Sequence, residues 1–237
     1  MKAKFDSKEE EKKNAASEAV KHVKNGFSIG LGTGSTAAYA IKELGRRVKH
    51  EGIRVLGVPT SYEALTLAVE NGISTTTLEE HPTLDLTIDG TDQIDPELNL
   101  IKGMGGALAQ EKIVASVSRK LIIIADSTKK VETLGEKHHP VPVEVLPFAA
   151  PVIARRIKQM GGKPTLRQGS GKVGPVITDN GNVIIDAEFG LIREPSELSS
   201  ELKSLPGVVE TGIFVNMASL AYVGTRSTVE KIERKLK

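Results

Sequence analysis

Four short polar or glycine-rich segments in this chain each follow an apolar segment that resembles a β-strand. The strand-like segments end near residues 32, 89, 101 and 125, and apolar residues at helical spacing resume after the first and the third. Strands that alternate with helices predict βαβ units and a parallel sheet. Right-handed crossovers place the carboxyl ends of such strands at one edge, where open α/β sheets bind ligands. We therefore expect the four segments to meet in a single cleft at that edge.

The composition is that of an ordinary globular protein, with 39% hydrophobic and 26% charged residues. A net charge of +2 provides no large basic surface, and an aromatic content of 3% provides few stacking rings, so no nucleic-acid partner is expected. Cysteine is absent, which excludes disulfides, thiolate nucleophiles and cysteine-ligated zinc.

The amino-terminal residues 1–13 are rich in Lys and Glu and contain no apolar stretch of the kind found in signal peptides. No window of the sequence approaches 18 apolar residues, the length expected of a membrane-spanning helix. We expect a cytoplasmic protein with no membrane partner.

The first polar segment connects a predicted strand to a predicted helix and reads Gly32-Thr33-Gly34-Ser35-Thr36. Glycines allow backbone N–H groups to approach an anion, hydroxyl groups add donors, and a helix N-terminus favours negative charge. Residues 32–37 also fit the G-x-G-x-x-A dinucleotide pattern, but the second strand ends at residues 57–61 without the ribose-binding carboxylate. The segment favours a simple phosphate over NAD, and a tight turn without a ligand remains an alternative.

The second segment is acidic and reads Asp89-Gly90-Thr91-Asp92, with Asp85 and Asp95 on either side. A calcium loop would require oxygen ligands at its first, third and fifth positions and a later Glu, and this spacing does not provide them. We expect no metal ion here. Asp89 ends an apolar strand, so it is predicted to lie at the ligand-binding edge rather than in a solvated loop.

The third segment opens another predicted helix and reads Lys102-Gly103-Met104-Gly105-Gly106. Its glycine N–H groups and its lysine can stabilise an oxyanion. Glu111 follows on that helix and shares a face with Leu108, so its carboxyl group is expected to point inward or towards the cleft. Because burial raises the pKa of a carboxyl group, this position suits a general base. The fourth segment contains Lys129, which follows the apolar strand at residues 121–125.

The pattern changes near residue 135, where prolines become frequent and the predicted order becomes β-α-β-β-α-β. We expect an α/β fold: a Rossmann-like parallel-sheet domain at residues 1–134 and 211–237, and a smaller inserted ferredoxin-like α+β domain at residues 135–210. Residues 228–237 are predicted to form a final helix.

These segments, in this order and spacing, resemble those of type-A ribose-5-phosphate isomerase, and the resemblance covers most of the chain. It extends to two further segments, Ile124-Ala125-Asp126 and Pro142-Val143-Glu144-Val145. It implies conversion of D-ribose 5-phosphate to D-ribulose 5-phosphate in the non-oxidative pentose phosphate pathway, without metal or cofactor. It also implies a homodimer or homotetramer whose subunits contact each other through the small domain.

The resemblance also implies roles for individual residues. Glu111 would shuttle the proton, and Asp89, Asp92 and Lys102 would line the sugar and take part in catalysis. The other substrate-binding residues would be Thr33, Gly34, Ser35, Thr36, Gly90, Thr91, Gly103, Met104, Gly105 and Lys129, with Lys12 as a further phosphate contact.

Two other classes of protein are compatible with parts of the sequence. A phosphosugar-sensing domain would keep the phosphate-binding segment without needing Glu111 and Lys102 together, and it would usually carry a helix-turn-helix, which is not evident here. An NAD-dependent enzyme would need the missing ribose-binding carboxylate. The sequence therefore favours the isomerase.

Overall fold

The computed structural model describes residues 2–171 and 173–234 of the chain. In chain order its helices and strands are α1 Lys2–Val20, β1 Ser28–Leu31, α2 Ser35–Glu51, β2 Leu56–Pro59, α3 Tyr62–Glu70, β3 Ser74–Thr75, β4 Leu86–Gly90, β5 Gln93–Ile94, β6 Leu100–Ile101, α4 Leu108–Ser116, β7 Leu121–Asp126, β8 Val141–Val145, α5 Ala150–Gln159, β9 Lys163–Leu166, β10 Val183–Glu188, α6 Pro195–Lys203, β11 Val208–Thr211, β12 Ile213–Phe214, β13 Leu220–Gly224 and β14 Val229–Glu233. Among the described residues, no helix combines the length and apolarity needed to cross a membrane.

The chain forms two compact units. Unit 1 comprises Met1–Thr91, Gln110–Lys130 and Met217–Lys237, and unit 2 comprises Asp92–Ala109 and Val131–Asn216. The division drawn from the sequence differs chiefly in residues 92–109, which it assigned to the larger domain.

Unit 1 is built on a seven-stranded sheet in the order β14-β13-β7-β4-β1-β2-β3. Every pair in this sheet is parallel except β13 with β14. β4 and β7 are fully buried, and β7 is apolar from Leu121 to Ala125, as expected of a central parallel strand. The chain winds outward from β1 in both directions, to β2 on one side and to β4 on the other. The carboxyl ends of β1 and β4 therefore form a topological switch point, where α/β sheets bind ligands.

Helices α1 and α2 cover this sheet with apolar stripes at helical spacing. The stripe of α1 consists largely of alanines, which let the helix approach the sheet closely, and α2 contributes Ala40, Ile41 and Leu44. Together with Ile29, Leu86 and Ile122 from the strands, they form the main core of unit 1.

The predicted helix over residues 228–237 is wrong for its described part, because residues 229–233 form strand β14. This segment pairs antiparallel with β13 and completes the edge of the sheet. Its exposed charged residues, among them Glu230 and Lys231, protect that edge from pairing with other chains. Residues 235–237 lie outside the described part of the chain.

Unit 2 contains the expected split β-α-β-β-α-β module, formed by β8, α5, β9, β10, α6 and β11. Its four strands are antiparallel in the order β11-β8-β10-β9, which confirms the predicted α+β domain. Val141, Val143 and Val145 of β8 face a core that includes Ile153 of α5 and Leu202 of α6. The alternate residues of β8 face the other side of the sheet.

Unit 2 also contains a small antiparallel sheet in the order β12-β6-β5. Its strands are very short but completely buried. This sheet positions the polar residues that precede β5 and follow β6.

Candidate active site

The loop between β1 and α2 is shaped to bind an anion. Helix α2 begins at Ser35, directly after Gly34, whose φ of 98° lies in a region that favours glycine. Gly34, at the N-cap, has no side chain to cap the first turn of α2, so the backbone N–H groups and the positive end of the helix dipole at this point suit an anion. This is the backbone geometry that a loop binding an anion requires.

Asp89, at the end of β4, holds this loop in place. Its Oδ1 accepts hydrogen bonds from the Thr33 N–H at 3.2 Å and the Gly90 N–H at 2.7 Å, and the residue is 2% exposed. A Cβ atom at Gly32 would lie 2.1 Å from the same oxygen, so only glycine fits at position 32. The loop that follows β1 and the end of β4, which together form the switch point, are thus hydrogen-bonded to each other.

Two hydroxyl residues that the sequence analysis missed also support the loop. The Thr33 hydroxyl contacts Thr60 Oγ1 at 2.7 Å and Ser61 Oγ at 2.8 Å. Both residues directly follow β2, so their place at the end of a parallel strand was the signal that could have identified them.

Lys12 of α1 lies beside the same loop. Its Nζ donates to Ser35 Oγ at 3.1 Å and to Glu9 Oε1 at 2.8 Å, and its side chain is 14% exposed. Hydrogen bonds from Lys12 and then Tyr39 lower the pKa of the Glu9 carboxyl group. Glu9 is therefore a stable anionic partner that holds the lysine at the mouth of the loop.

Lys129 belongs to a 3-10 helix, Ser127–Lys129, that directly follows β7. Glu11 binds the start of this helix, because its Oε2 accepts from the Ser127 hydroxyl at 2.7 Å and the Ser127 N–H at 3.1 Å. Glu11 is 5% exposed and directly precedes Lys12. Its hydrogen bonds to Ser127 therefore connect the segment that carries Lys12 with the segment that carries Lys129. Glu11 was not among the predicted site residues, although an acidic residue four positions before Ala15 is in line with the apolar stripe of α1.

Helix α4 carries Glu111 towards the carboxyl ends of the strands. The chain just beyond α4 is hydrogen-bonded to the segment before β4, since Leu84 N donates to Val117 O at 3.0 Å and Arg119 N donates to Leu84 O at 2.9 Å. The end of α4 therefore lies at the amino end of β4, and its first turn lies at the opposite, carboxyl end.

The packing of α4 against the sheet fixes the position of Glu111 along the direction of the strands. Helix α4 packs closely against β1, because a Cβ atom added at Gly30 would lie 2.4 Å from Val114 Cγ1. Gly30 is in register with Thr87 of β4. Glu111 is three residues before Val114, about 4.5 Å along the helix, and Asp89 is two residues beyond Thr87, about 6.6 Å along the strand. The two carboxylates are thus at similar heights near the carboxyl edge. Glu111 is 4% exposed, which confirms that it is buried rather than directed into solvent.

In unit 2, Asp92, Lys102 and the glycine segment lie together. The backbone N–H of Asp92 donates to Ile101 O at 2.9 Å, and its Oδ2 accepts from Met104 N–H at 2.9 Å. Lys102 is 3% exposed, and its Nζ lies 5.5 Å from the centre of the Phe214 ring. The structure therefore assembles these predicted residues around β5 and β6.

The predicted site residues fall into two sets, one in each unit. In unit 1 they are Thr33, Gly34, Ser35, Thr36, Asp89, Gly90, Thr91, Glu111 and Lys129. In unit 2 they are Asp92, Lys102, Gly103, Met104 and Gly105. Among the described residues, no group of three or more His, Asp or Glu side chains is arranged to hold a metal ion.

The fold and the site of unit 1 define a class of protein. A doubly wound parallel sheet has an uncapped helix N-terminus, a lysine and a buried aspartate at its switch point, with a buried glutamate near the same edge. This is the arrangement of an α/β protein that binds a phosphorylated small molecule.

Comparison with known proteins gives the family. The family model of ribose 5-phosphate isomerase A (phosphoriboisomerase A) matches residues 56–228. The chain is 52% identical over 222 residues to ribose-5-phosphate isomerase A of Methanosarcina acetivorans, covering 94% of this chain and 93% of that protein. The chain therefore belongs to the ribose 5-phosphate isomerase A family.

Solved structures agree with this assignment. Ribose 5-phosphate isomerase A from Methanocaldococcus jannaschii superimposes with a TM-score of 0.91 at 47% identity, covering 95% of this chain and 99% of that one. A D-ribose-5-phosphate isomerase in complex with phospho-erythronic acid gives a TM-score of 0.94 at 47% identity, covering 96% of this chain and 99% of that one.

Proposed function

We propose that this protein interconverts D-ribose 5-phosphate and D-ribulose 5-phosphate by proton transfer through an enediolate. Family membership supports the reaction, and the observation that carries the mechanism is the buried carboxylate of Glu111 near the carboxyl edge that also holds Asp89. The related isomerase with bound phospho-erythronic acid supports a phosphorylated sugar as the ligand class.

Glu111 acts as the general base in this mechanism. It removes the proton from C2 of the open aldose, and the electron pair forms the C1–C2 double bond as negative charge develops on O1. Glu111 then returns the proton to C1, while the hydroxyl proton of O2 moves to O1 and the C2 carbonyl forms. Asp89 or Asp92 assists ring opening and the transfer of hydroxyl protons.

Lys102 and the Gly105 N–H of the glycine segment stabilise the enediolate oxygens, while the Met104 N–H holds Asp92. Such donors are effective because they are fixed before the reaction and lie in surroundings with little water. The burial of Lys102 supports this role, since a buried ammonium group interacts strongly with a neighbouring negative charge.

The phosphate of the substrate binds at the N-terminus of α2, to residues 33–36, with Lys129 and Lys12 as cationic partners. The hydrogen bond from Lys12 to Ser35 supports this assignment. Binding of the phosphate holds C1 and C2 in place for proton transfer, so it contributes to catalysis as well as to affinity.

Replacing Lys12 with Met is expected to raise the KM for ribose 5-phosphate about tenfold and to weaken inhibition by inorganic phosphate by a similar factor, about 1.4 kcal/mol. The reason is loss of one charge–charge contact at the anion site. Lys13→Met is the matched control, because Lys13 is the next residue and is exposed. An unchanged inhibition constant for phosphate, or an equal effect of both variants, would contradict the assignment.

The proposed reaction is tested by incubating the protein with ribose 5-phosphate in heavy water with a chelator present. We expect formation of the ketopentose phosphate and incorporation of deuterium at carbon, detected by NMR. A sensing domain would produce neither signal, and an NAD-dependent enzyme would act only after nicotinamide cofactor is added.

We also propose that the protein is a cytoplasmic homodimer or homotetramer with contacts through unit 2. The support on this chain is an exposed apolar cluster at the start of α5, in which Phe148 is 97%, Val152 52% and Leu146 49% exposed. Such clusters commonly mark interfaces. Sedimentation equilibrium measures the assembled mass against 25.4 kDa per chain, and a monomer at assay concentrations would exclude this proposal.

A further inference from the structure

Arg167 binds the glycine segment of unit 2 from the side of the four-stranded sheet. This arginine follows β9, and its Nη1 donates to Gly103 O at 2.9 Å and to Met104 O at 3.0 Å. The same segment is a tight turn, closed by a hydrogen bond of 3.0 Å from Gly106 N–H to Gly103 O. One guanidinium group thus contacts two consecutive carbonyls of the turn.

These contacts determine the direction of two peptide planes. Both peptide bonds are trans, so each N–H points away from its carbonyl oxygen. The N–H on the far side of the first plane belongs to Met104 and donates to Asp92 Oδ2. The N–H on the far side of the second plane belongs to Gly105, and it must also point away from Arg167.

Asp186 of β10 holds the guanidinium in position. Its Oδ2 accepts from Arg167 Nε at 2.8 Å, and its Oδ1 accepts from Nη2. Both side chains are mostly shielded, at 13% and 18% exposure, so this pair is more constrained than a surface ion pair. A planar guanidinium can bind a carboxylate through Nε and Nη2 and carbonyl oxygens through Nη1 at the same time. The ammonium group of lysine has no such geometry, so lysine is a poor substitute.

We propose that Arg167, held by Asp186, is a positioning residue that directs the Met104 N–H to Asp92 and the Gly105 N–H to the enediolate during the isomerisation. The inference rests on the proposed function, in which the glycine segment stabilises the enediolate through the Gly105 N–H. Arg167 touches the turn and not the reacting atoms, so its effect passes through the direction of those N–H groups. A shift of the turn by about 1 Å is enough to lower the rate about 100-fold.

Arg167→Ala and Asp186→Asn are expected to lower kcat about 10- to 100-fold and to change KM less than about threefold. The inhibition constant of phospho-erythronic acid, whose carboxylate resembles the enediolate in charge, should weaken by a factor similar to that of kcat. Inhibition by inorganic phosphate should stay unchanged, because the phosphate site is in unit 1. Millimolar guanidinium is expected to restore part of the activity of Arg167→Ala, whereas Arg167→Lys should remain impaired.

Lys163→Ala is the matched control, since Lys163 pairs with Glu188 across the same two strands but is 78% exposed and does not contact the turn. It should keep wild-type kcat. Wild-type kcat in Arg167→Ala, or equal loss of affinity for the analogue and for inorganic phosphate, would overturn the inference. If Arg167→Ala does not fold, the same measurements of kcat and of the two inhibition constants on Asp186→Asn test the inference. An inactive wild-type protein would instead refute the proposed function itself.

Discussion

Glu111→Gln is expected to lower kcat by about 10³- to 10⁴-fold, because general-base catalysis contributes up to about 10⁴-fold and the amide cannot accept the C2 proton. Gln has the same shape as Glu, so the buried site should be preserved. Steady-state kinetics with ribose 5-phosphate measures the loss. Deuterium incorporation from heavy water should fall in parallel with turnover.

A measurement of phosphate binding separates a catalytic role of Glu111 from a structural one. The affinity of Glu111→Gln for inorganic phosphate should match that of the wild type, since α2 provides the phosphate site. Glu70→Gln is the control, because Glu70 is an exposed residue at the end of α3 in the same unit. A Glu111→Gln enzyme with more than about a tenth of wild-type kcat would remove Glu111 from the mechanism.

Lys102→Met is expected to lower kcat by about 10²- to 10³-fold, the usual effect of removing one donor to a developing oxyanion. Met fills a similar volume next to Phe214 and carries no charge, so the fold of unit 2 should tolerate it. The measurement is kcat and KM together with the thermal unfolding temperature. Lys158→Met, at an exposed position of α5, should leave all three unchanged. A large rise in KM at constant kcat would show that Lys102 binds ground state and transition state equally.

The parallel sheet and its polar edge were predictable because each depends on local sequence. Apolar runs such as residues 121–125 predict buried strands, and Gly34 predicts a turn into a helix. Segments that follow strands in such a sheet must share an edge, so Thr33 and Asp89 could be expected together before their contact was known. The family resemblance supplied the roles of these residues.

The features that were missed depend on contacts between distant residues. Glu11 binds Ser127, 116 positions away, and Arg167 binds Gly103, 64 positions away. Glu11 is in line with the apolar stripe of α1, but nothing in the local sequence indicates its partner, and Arg167 has no periodic signal at all. Strand β14 was missed because its charged residues suit a helix surface, and pairing with β13 outweighs that preference. These features are therefore determined by long-range hydrogen bonds, which local sequence propensity does not predict.

The mechanism requires Glu111 to face the reacting carbons of a sugar whose phosphate is bound at the start of α2. A crystal structure of this protein with phospho-erythronic acid tests it most directly. We expect the phosphate on residues 33–36, with the backbone N–H groups of residues 34–36 as donors, and the Glu111 carboxylate within hydrogen-bonding distance of the atoms that correspond to C1 and C2. A phosphate bound elsewhere, or an analogue whose carboxylate end lies away from Glu111, would contradict it.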